Sequence, residues 1–320
     1  MMNEPKSPIL DLEHNVIWAF ENATPYAGKV LAKAVNQNQV SRDINLLADN
    51  TTAPPKGPHL LRGNGAIAAQ MCISVKHLEL LWSFIYAWMV IYERGIQKAL
   101  IENTWNGQVD CSDPVLQRAQ RLRDWSSSLQ NQCTPWPQGL PSPSNYSCEI
   151  ERTYVEKANS VFQRAVAFLL GHEWAHAVGG HLEFLPASAP DCDAIAAEQD
   201  ADVTAFSSLV QSTDDDREKL SNALAILFTL LSTIFLGVEV RSPFVQKRHP
   251  PLHVRISNAM QMLNFENESY CYYFPMLASV ILEWALPELK SIPRSAAVYE
   301  TAEDAFSDTL DRIEKWIHQY

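Results

Sequence analysis

Apolar residues recur at helical spacing along much of the chain. Residues 28–50 and 64–103 combine alanine-rich composition with apolar periodicity, which predicts a helix in each, separated by a turn-rich connection at 52–58. Five aromatic residues lie from Leu78 to Tyr92. Only about 13 uncharged residues follow Glu79, fewer than the roughly 20 that a membrane-spanning helix needs. This helix is therefore predicted to pack in the core.

A stretch rich in Pro, Ser and Asn at 126–147 interrupts the helical pattern. Its four prolines between 135 and 143 predict irregular structure, and helical spacing resumes near Cys148. Long irregular segments are often functional. The stretch fits a lid or an insertion, and it fits a passive surface loop equally well.

The uncharged run from Ser221 to Val238 approaches the length of a membrane-spanning helix. Polar residues such as Asn222 and Thr229 dilute it, and its flanks carry charges of both signs instead of a basic edge. We therefore favour a buried helix and do not expect membrane insertion. Two more helices, at 270–289 and 297–318, are predicted to close the fold.

Strand patterns are scarce and no internal repeat is present, so the sequence predicts a mainly α fold with at most a small β-sheet. Three parts are expected: an N-terminal helical region at 1–147 that includes the loop at 126–147, a central core at 148–260, and closing helices at 261–320. We expect them to form one compact unit.

The composition describes a globular protein, with 47% hydrophobic and 19% charged residues in a chain of 320. The formal net charge is -12 at pH 7. Such a chain offers no basic stripe to replace the counterions of a phosphate backbone, so nucleic acid is not an expected partner.

The N-terminal residues favour a cytoplasmic location. They carry prolines and acids where a signal peptide would need a basic start and an unbroken apolar segment. The six cysteines form no CxxC pair and are expected to be free thiols in a reducing compartment.

The sequence His172-Glu173-Trp174-Ala175-His176 lies in a predicted helix and matches the pattern HExxH. Residues four apart share a helix face, so His172 and His176 can direct two imidazoles at one ion while Glu173 meets a water molecule. The alternative is a helix with two surface histidines. An apolar helix face leads directly into the motif, which favours a packed helix and a metal site; it consists of Val161, Phe162, Ala165, Phe168 and Leu169.

A catalytic zinc needs three protein ligands and an open position, so a third donor is expected on another rigid element. Residues 194–207 are alanine-rich and favour a helix, with carboxylates at Glu198, Asp200 and Asp202. Glu198 and Asp202 lie four apart, so one can bind the ion while the other orients a ligating histidine. Asp200 is expected to face solvent. An acidic helix surface is the alternative, but the nearby HExxH motif favours a metal site.

These motifs resemble those of the gluzincin metallopeptidases, in particular the group of HtpX-like and CaaX-prenyl-protease-like enzymes. That group has HExxHxxxxH, then ExxxD, then His-Pro followed by an arginine, and this chain has the three in order at 172–181, 198–202 and 249–255. The resemblance implies a zincin-like core within 148–260, built from an HExxH helix and a glutamate-ligand helix. It implies one zinc ion with His172, His176 and Glu198 as ligands and Glu173 as the general base.

The same resemblance assigns supporting roles. Asp202 would orient a ligating histidine without binding the ion itself. His249 would lie near the developing oxyanion, and Arg255 would hold the acidic helix in position. Without the resemblance, His249 is as well explained as a turn residue beside two prolines. His181 either contacts one of the metal ligands without binding the ion itself or is a surface residue.

A metzincin pattern is the competing zinc motif, since HExxHxxGxxH would supply a histidine as third ligand. Position 182 is leucine, and His181 falls one residue early. The glutamate ligand is therefore preferred.

The layout of the whole chain resembles the Lit family of phage-exclusion peptidases, which are of similar length and carry HExxH slightly past the middle of a helical body. This resemblance implies a host-defence protease, dormant until an activating peptide or protein appears, that cleaves a translation factor such as elongation factor Tu. Two alternatives stay open: an ImmA-like regulatory protease that cleaves a repressor, and a non-catalytic zinc-binding or partner-binding protein. The presence of Glu173, which folding does not need, argues against the second alternative.

Overall fold

The computed structural model describes residues 6–23, 25–48, 54–61, 69–110, 112–132, 134–181, 189–210, 215–263, 268–296 and 298–319. These residues form a mainly α fold, as predicted. The described α-helices, in chain order, are α1 (Glu13–Ile17), α2 (Ala19–Ala23), α3 (Pro25–Asn36), α4 (Val75–Val90), α5 (Lys98–Ile101), α6 (Pro114–Ser128), α7 (Glu149–Val178), α8 (Asp191–Val210), α9 (Asp216–Ser232), α10 (Leu252–Leu263), α11 (Glu268–Ala285) and α12 (Ala302–Gln319). A π-helix at Ile91–Gln97 joins α4 to α5, and short 3-10 helices lie at Pro8–Leu12, Thr233–Phe235, Ser242–Phe244 and Pro287–Ser291.

A small sheet lies beside α7, as the sequence predicted. Its strands are β1 (Asn45–Leu47), β2 (His59–Leu61) and β3 (Gln70–Ser74). Central β3 pairs in parallel with β1 and antiparallel with β2, and Cys72 is the partner of both Asn45 and His59.

The prediction of unbroken helices over 28–50 and 64–103 was wrong at β1 and β3. Both strands are short, and β3 is buried over Met71 to Ser74, so it shows no alternation of exposed and buried side chains. A short apolar run of this kind cannot be distinguished from a buried helix by its periodicity. Pairing with strands distant in the chain decides its structure.

The 30-residue helix α7 is the longest of those described, and Cys148 precedes its first turn, where the sequence placed its start. It crosses α8 through small side chains. Four alanines on one face of α8 are buried, namely Ala194, Ala197, Ala201 and Ala205, and Ala205 lies against Gly171 of α7. Small residues on both surfaces let the two helices approach closely. This crossing brings the acidic face of α8 to the HExxH motif.

Helices α4 and α9 form much of the core, since almost every residue of α4 and all residues from Asn222 to Ser232 of α9 are buried. Within the described residues, one segment, Asp216–Phe235, is long and apolar enough to cross a membrane by length and composition, and 72% of it is buried inside the protein. It contacts α4, α7 and α10. The run at 221–238 therefore begins as the packed helix that the sequence favoured and ends in a 3-10 turn.

The closing helices are shorter than predicted. Helix α11 ends at Ala285 because Pro287 cannot continue it, and residues Pro287–Ser291 form a 3-10 turn. Helix α12 begins at Ala302 instead of 297. Cys72, Cys148 and Cys192 form no disulfide, whereas Cys111 and Cys133 lie outside the described residues.

Candidate metal centre

Three candidate ligands from two helices meet at one point. His172 and His176 are one turn apart near the end of α7, and Glu198 projects from α8. The two Nε2 atoms are 3.1 Å apart. The Glu198 carboxylate places Oε2 3.2 Å from His172 Nε2 and Oε1 3.4 Å from His176 Nε2. Their ligand atoms all lie within 4.8 Å of one another, so the group has the geometry to hold a metal ion.

The spacing fits the face of a zinc tetrahedron. Zinc binds nitrogen and oxygen at about 2.0–2.1 Å, so tetrahedral donors are about 3.3–3.4 Å apart. The 3.1 Å between the two Nε2 atoms approaches that value, and the two oxygens of the Glu198 carboxylate lie at similar distances, 3.2 and 3.4 Å, each from one of the rings. Two imidazoles and one carboxylate form a donor set found in catalytic zinc sites.

His172 is oriented from behind by Asp202. The carboxylate of Asp202 lies 2.9 Å from His172 Nδ1. Because a carboxylate accepts hydrogen bonds, Nδ1–H is the donor, and in a neutral ring the free lone pair is then on Nε2. Arg255 fixes the carboxylate with two bonds, from Nε at 2.8 Å and from Nη2 at 2.7 Å. Burial raises the pKa of Asp202, but Arg255 and His172 outweigh it and lower this pKa to about 2.

His176 has a corresponding partner in His181. Their Nδ1 atoms are 2.9 Å apart, so one donates a hydrogen bond to the other. If His176 donates, its Nε2 is free to bind a metal, and His181 carries its own proton on Nε2, which points toward Asp200 at 3.9 Å. Burial and the neighbouring His176 lower the pKa of His181. Asp200 itself is largely exposed, as expected.

The histidines and carboxylates of the cluster attract one another. Burial opposes a charge on His172, yet hydrogen bonds with Asp202 and Glu198 raise its pKa to about 9. Burial raises the pKa of Glu198, but contacts with His172, His176 and His249 outweigh it and hold this pKa well below its usual range. Both shifts have one cause, because the carboxylates favour positive charge beside them, and a divalent ion would meet the same attraction.

His172 and Glu198, two of the three candidate ligands, line a cavity of about 340 Å³. Glu173 lines it, one residue after the first ligand, and burial raises the pKa of this carboxyl. Apolar walls come from α7 (Phe168, Leu169), from α9 and the turn that follows (Leu230, Leu236) and from Leu252 of α10.

His249 also lines this cavity, on the segment before α10, and is half exposed. Its Nδ1 lies 3.0 Å from Glu198 Oε2, so the ring holds the carboxylate of a candidate ligand. The structure thus brings all the predicted site residues into one cluster: His172, Glu173, His176, His181, Glu198, Asp202, His249 and Arg255.

One lining residue was missed by the sequence interpretation. His77, in the first turn of α4, borders the same cavity although 95 positions separate it from His172. Its neighbours form no motif and include charged residues at positions 76 and 79, so nothing in the sequence singled it out.

The family comparison agrees with this geometry. A model of the family Peptidase U49 matches residues 72–275, a range that begins in β3 and includes every residue of the cluster. No curated protein and no solved structure matches the chain. A peptidase family implies hydrolysis of peptide bonds in a protein substrate. Since the match covers well over half of the 320 residues, the chain belongs to the Peptidase U49 family.

Proposed function

We propose that this peptidase is a zinc-dependent endopeptidase of the gluzincin type with one catalytic zinc. The observation that carries the proposal is the convergence of three candidate ligands from α7 and α8, with contacts of 3.1 to 3.4 Å between their side chains, beside a cavity that Glu173 also lines. His172, His176 and Glu198 would hold the ion. When bound, zinc supplies a Lewis acid that polarises the scissile carbonyl and eases deprotonation of water.

Glu173 is the proposed general base. Its carboxylate takes a proton from the attacking water and can deliver it to the nitrogen of the leaving amine. A raised pKa brings a carboxyl closer to the working pH, which favours both transfers. Burial next to the ligands supplies that shift and excludes competing water.

The supporting residues act on the ligands and the substrate. Asp202 keeps His172 in the tautomer with Nε2 free, and Arg255 keeps Asp202 in place. His181 supports His176 in the same way. The proposed role of His249 is to donate a hydrogen bond from Nε2, in its protonated form, to the oxyanion that develops on the substrate.

The biological role belongs to the same proposal. Because the chain is a member of a family that shares the Lit-like layout, we propose a cytoplasmic host-defence protease that acts on one specific protein after an activating peptide or protein appears. Elongation factor Tu is the proposed target.

The test compares wild type with Glu173→Gln in a bacterial host by quantifying newly formed protein termini. Zinc analysis of the purified proteins should give one ion for each chain in both forms, because this substitution leaves the three ligands intact. Only wild type should generate new termini. Glu156→Gln is the matched control, since Glu156 is an exposed glutamate on the same helix.

The outcomes separate the candidate functions. A new terminus in a translation factor supports the defence role, and cuts confined to a repressor support a regulatory protease. Zinc binding with identical termini in wild type and Glu173→Gln, in cells that also express the activator, would contradict an enzymatic function. Absence of bound zinc would contradict the proposal that the enzyme depends on this metal.

A further inference from the structure

His77 is a buried imidazole that no described protein group engages. It follows β3 directly, and its backbone N–H donates to the side chain of Ser74 at the start of α4. The side chain is 1% exposed. Within the described part of the chain, neither Nδ1 nor Nε2 has a hydrogen-bond partner.

The other histidines at the centre differ from His77 in this respect. His172, His176, His181 and His249 each have a ring nitrogen within 3.0 Å of a partner. Burial of an unpaired polar group is unfavourable, so native proteins retain such groups where a partner is absent for a reason. Burial lowers the pKa of His77 to about 4, and the ring is therefore neutral near pH 7.

The cavity explains where a partner would come from. His77 lines it together with His172 and Glu173. Thr229, another polar side chain of this lining, already donates to the carbonyl of Ala225. A neutral imidazole offers one N–H donor and one acceptor nitrogen on different edges of the ring, so an amide group can pair with one of them, through its oxygen or through its N–H.

We propose that His77 is a substrate-contacting residue that binds an amide group of the peptide substrate in the cavity beside the metal centre. The assignment rests on the proposed function. The amide belongs either to the substrate backbone near the scissile bond or to an Asn or Gln side chain. In both cases one ring nitrogen becomes paired when substrate is bound, so the site discriminates against ligands that leave it unpaired.

The experiment exploits a contrast between stability and activity. His77→Leu removes an unpaired polar group from an apolar surrounding, so the melting temperature of the zinc-loaded protein should be unchanged or higher. The same variant should lose about tenfold or more in kcat/KM, because a substrate amide is left without its partner. His77→Gln, which can also donate and accept, should recover part of that loss.

Tyr92→Phe is the matched control. The Tyr92 side chain is fully buried, its hydroxyl has no hydrogen-bond partner among the described residues, and it does not line the cavity. Its removal should have the same effect on stability as His77→Leu and no effect on cleavage.

Cleavage of a peptide library made from a bacterial proteome distinguishes the two amide sources. A uniform loss over all sequences with His77→Leu indicates the backbone amide, whereas loss of a preference for Asn or Gln at one position indicates the side chain. If His77→Leu lowers the melting temperature and leaves every cleavage rate unchanged, His77 is a structural residue and the assignment is overturned.

A binding measurement keeps this outcome separate from a failure of the proposed function. If the zinc-loaded wild type cuts nothing in the library, the proposed catalysis fails for these substrates, and the affinity for a peptidyl hydroxamate then decides about His77. Hydroxamates bind zinc whether or not the protein turns over. Weaker binding by His77→Leu, but not by Tyr92→Phe, supports the assignment, and equal binding by all three proteins overturns it.

Discussion

Two polar clusters in this molecule differ in how their charged groups are paired. At the C-terminal end, the guanidinium of Arg312 pairs with Asp308 at 2.9 Å and with Glu283, and Arg294 reaches Glu283 at 3.0 Å. We call these four residues the C-terminal ion cluster. It has two guanidinium groups for two carboxylates, so each anion meets a cation.

The candidate metal centre places imidazole rings where the C-terminal ion cluster has guanidinium groups. Arg255 pairs with the carboxylate of Asp202, whereas Glu198 contacts the rings of His172 and His176. Buried ionic groups alone are weak evidence of function. A carboxylate that meets two imidazoles at one point is stronger evidence, because both kinds of group are ligands of divalent metal ions.

The largest expected effect is the loss of zinc affinity when Glu198 is replaced, and it tests the contrast between the two clusters. Glu198→Ala should lower zinc affinity by about a thousandfold, because one of three protein ligands carries on the order of 4 kcal/mol of a total of roughly 10–16 kcal/mol. Competition titration with a chelator measures the change. An affinity equal to that of wild type would show that Glu198 is not a ligand.

The C-terminal ion cluster should respond in stability instead of metal binding. Arg312→Met leaves the buried carboxylate of Asp308 without its cation, which should cost about 3–5 kcal/mol in the free energy of unfolding. Urea denaturation gives this free energy, and zinc content should stay at one ion. A variant that is as stable as wild type would mean that the cluster contributes no net stability.

The residues that meet at the candidate metal centre were predicted from the sequence more completely than the residues around them, for a physical reason. HExxH and the Glu198–Asp202 pair are defined by spacing along a helix, so the shared faces follow from the sequence alone. The contact between His176 and His181 lies at the helix end, where Gly180 has a φ of 72° and helical spacing no longer applies.

The same division between local and distant contacts explains which parts of the fold were predicted from the sequence. Helix α7 and the buried character of α4 were predicted from periodicity within each segment. Strands β1 and β3 were missed because their pairing joins residues more than 20 positions apart. His77 was missed for the same reason, since its place in the cavity depends on how α4 packs against α7.

A smaller loss of zinc affinity is expected from a substitution at Asp202, which contacts a candidate ligand and is not one itself. Asp202→Asn removes the charge that orients His172 and should reduce zinc affinity by about 10–100-fold while the protein stays folded. Asp200→Asn is the matched control, since Asp200 lies on the same helix but is largely exposed. Equal affinities in the two variants would show that the contact between Asp202 and His172 does not support metal binding.

The smallest expected effect is a pH dependence of the C-terminal ion cluster. Burial raises the pKa of Asp308, but hydrogen bonds from Ser295 and Arg312 outweigh it and lower this pKa to about 2, against 3.8 for an ordinary aspartate. A carboxyl whose pKa is depressed by folding stabilises the native state above its unfolded pKa, and this contribution disappears as the pH falls through the folded value. The stability difference between wild type and Asp308→Asn should therefore be constant above about pH 5 and shrink by about 1–2 kcal/mol toward pH 2.

Urea denaturation at several pH values, with Asp311→Asn as the exposed control on the same helix, measures that change. A zinc ion bound as proposed would be released in acid, because its histidine ligands would take up protons. This release would destabilise wild type and both variants alike, so only differences between them report on Asp308. A difference that does not depend on pH would mean that Asp308 acts through packing and hydrogen bonds, and the matched charges of this cluster would then contribute nothing beyond them.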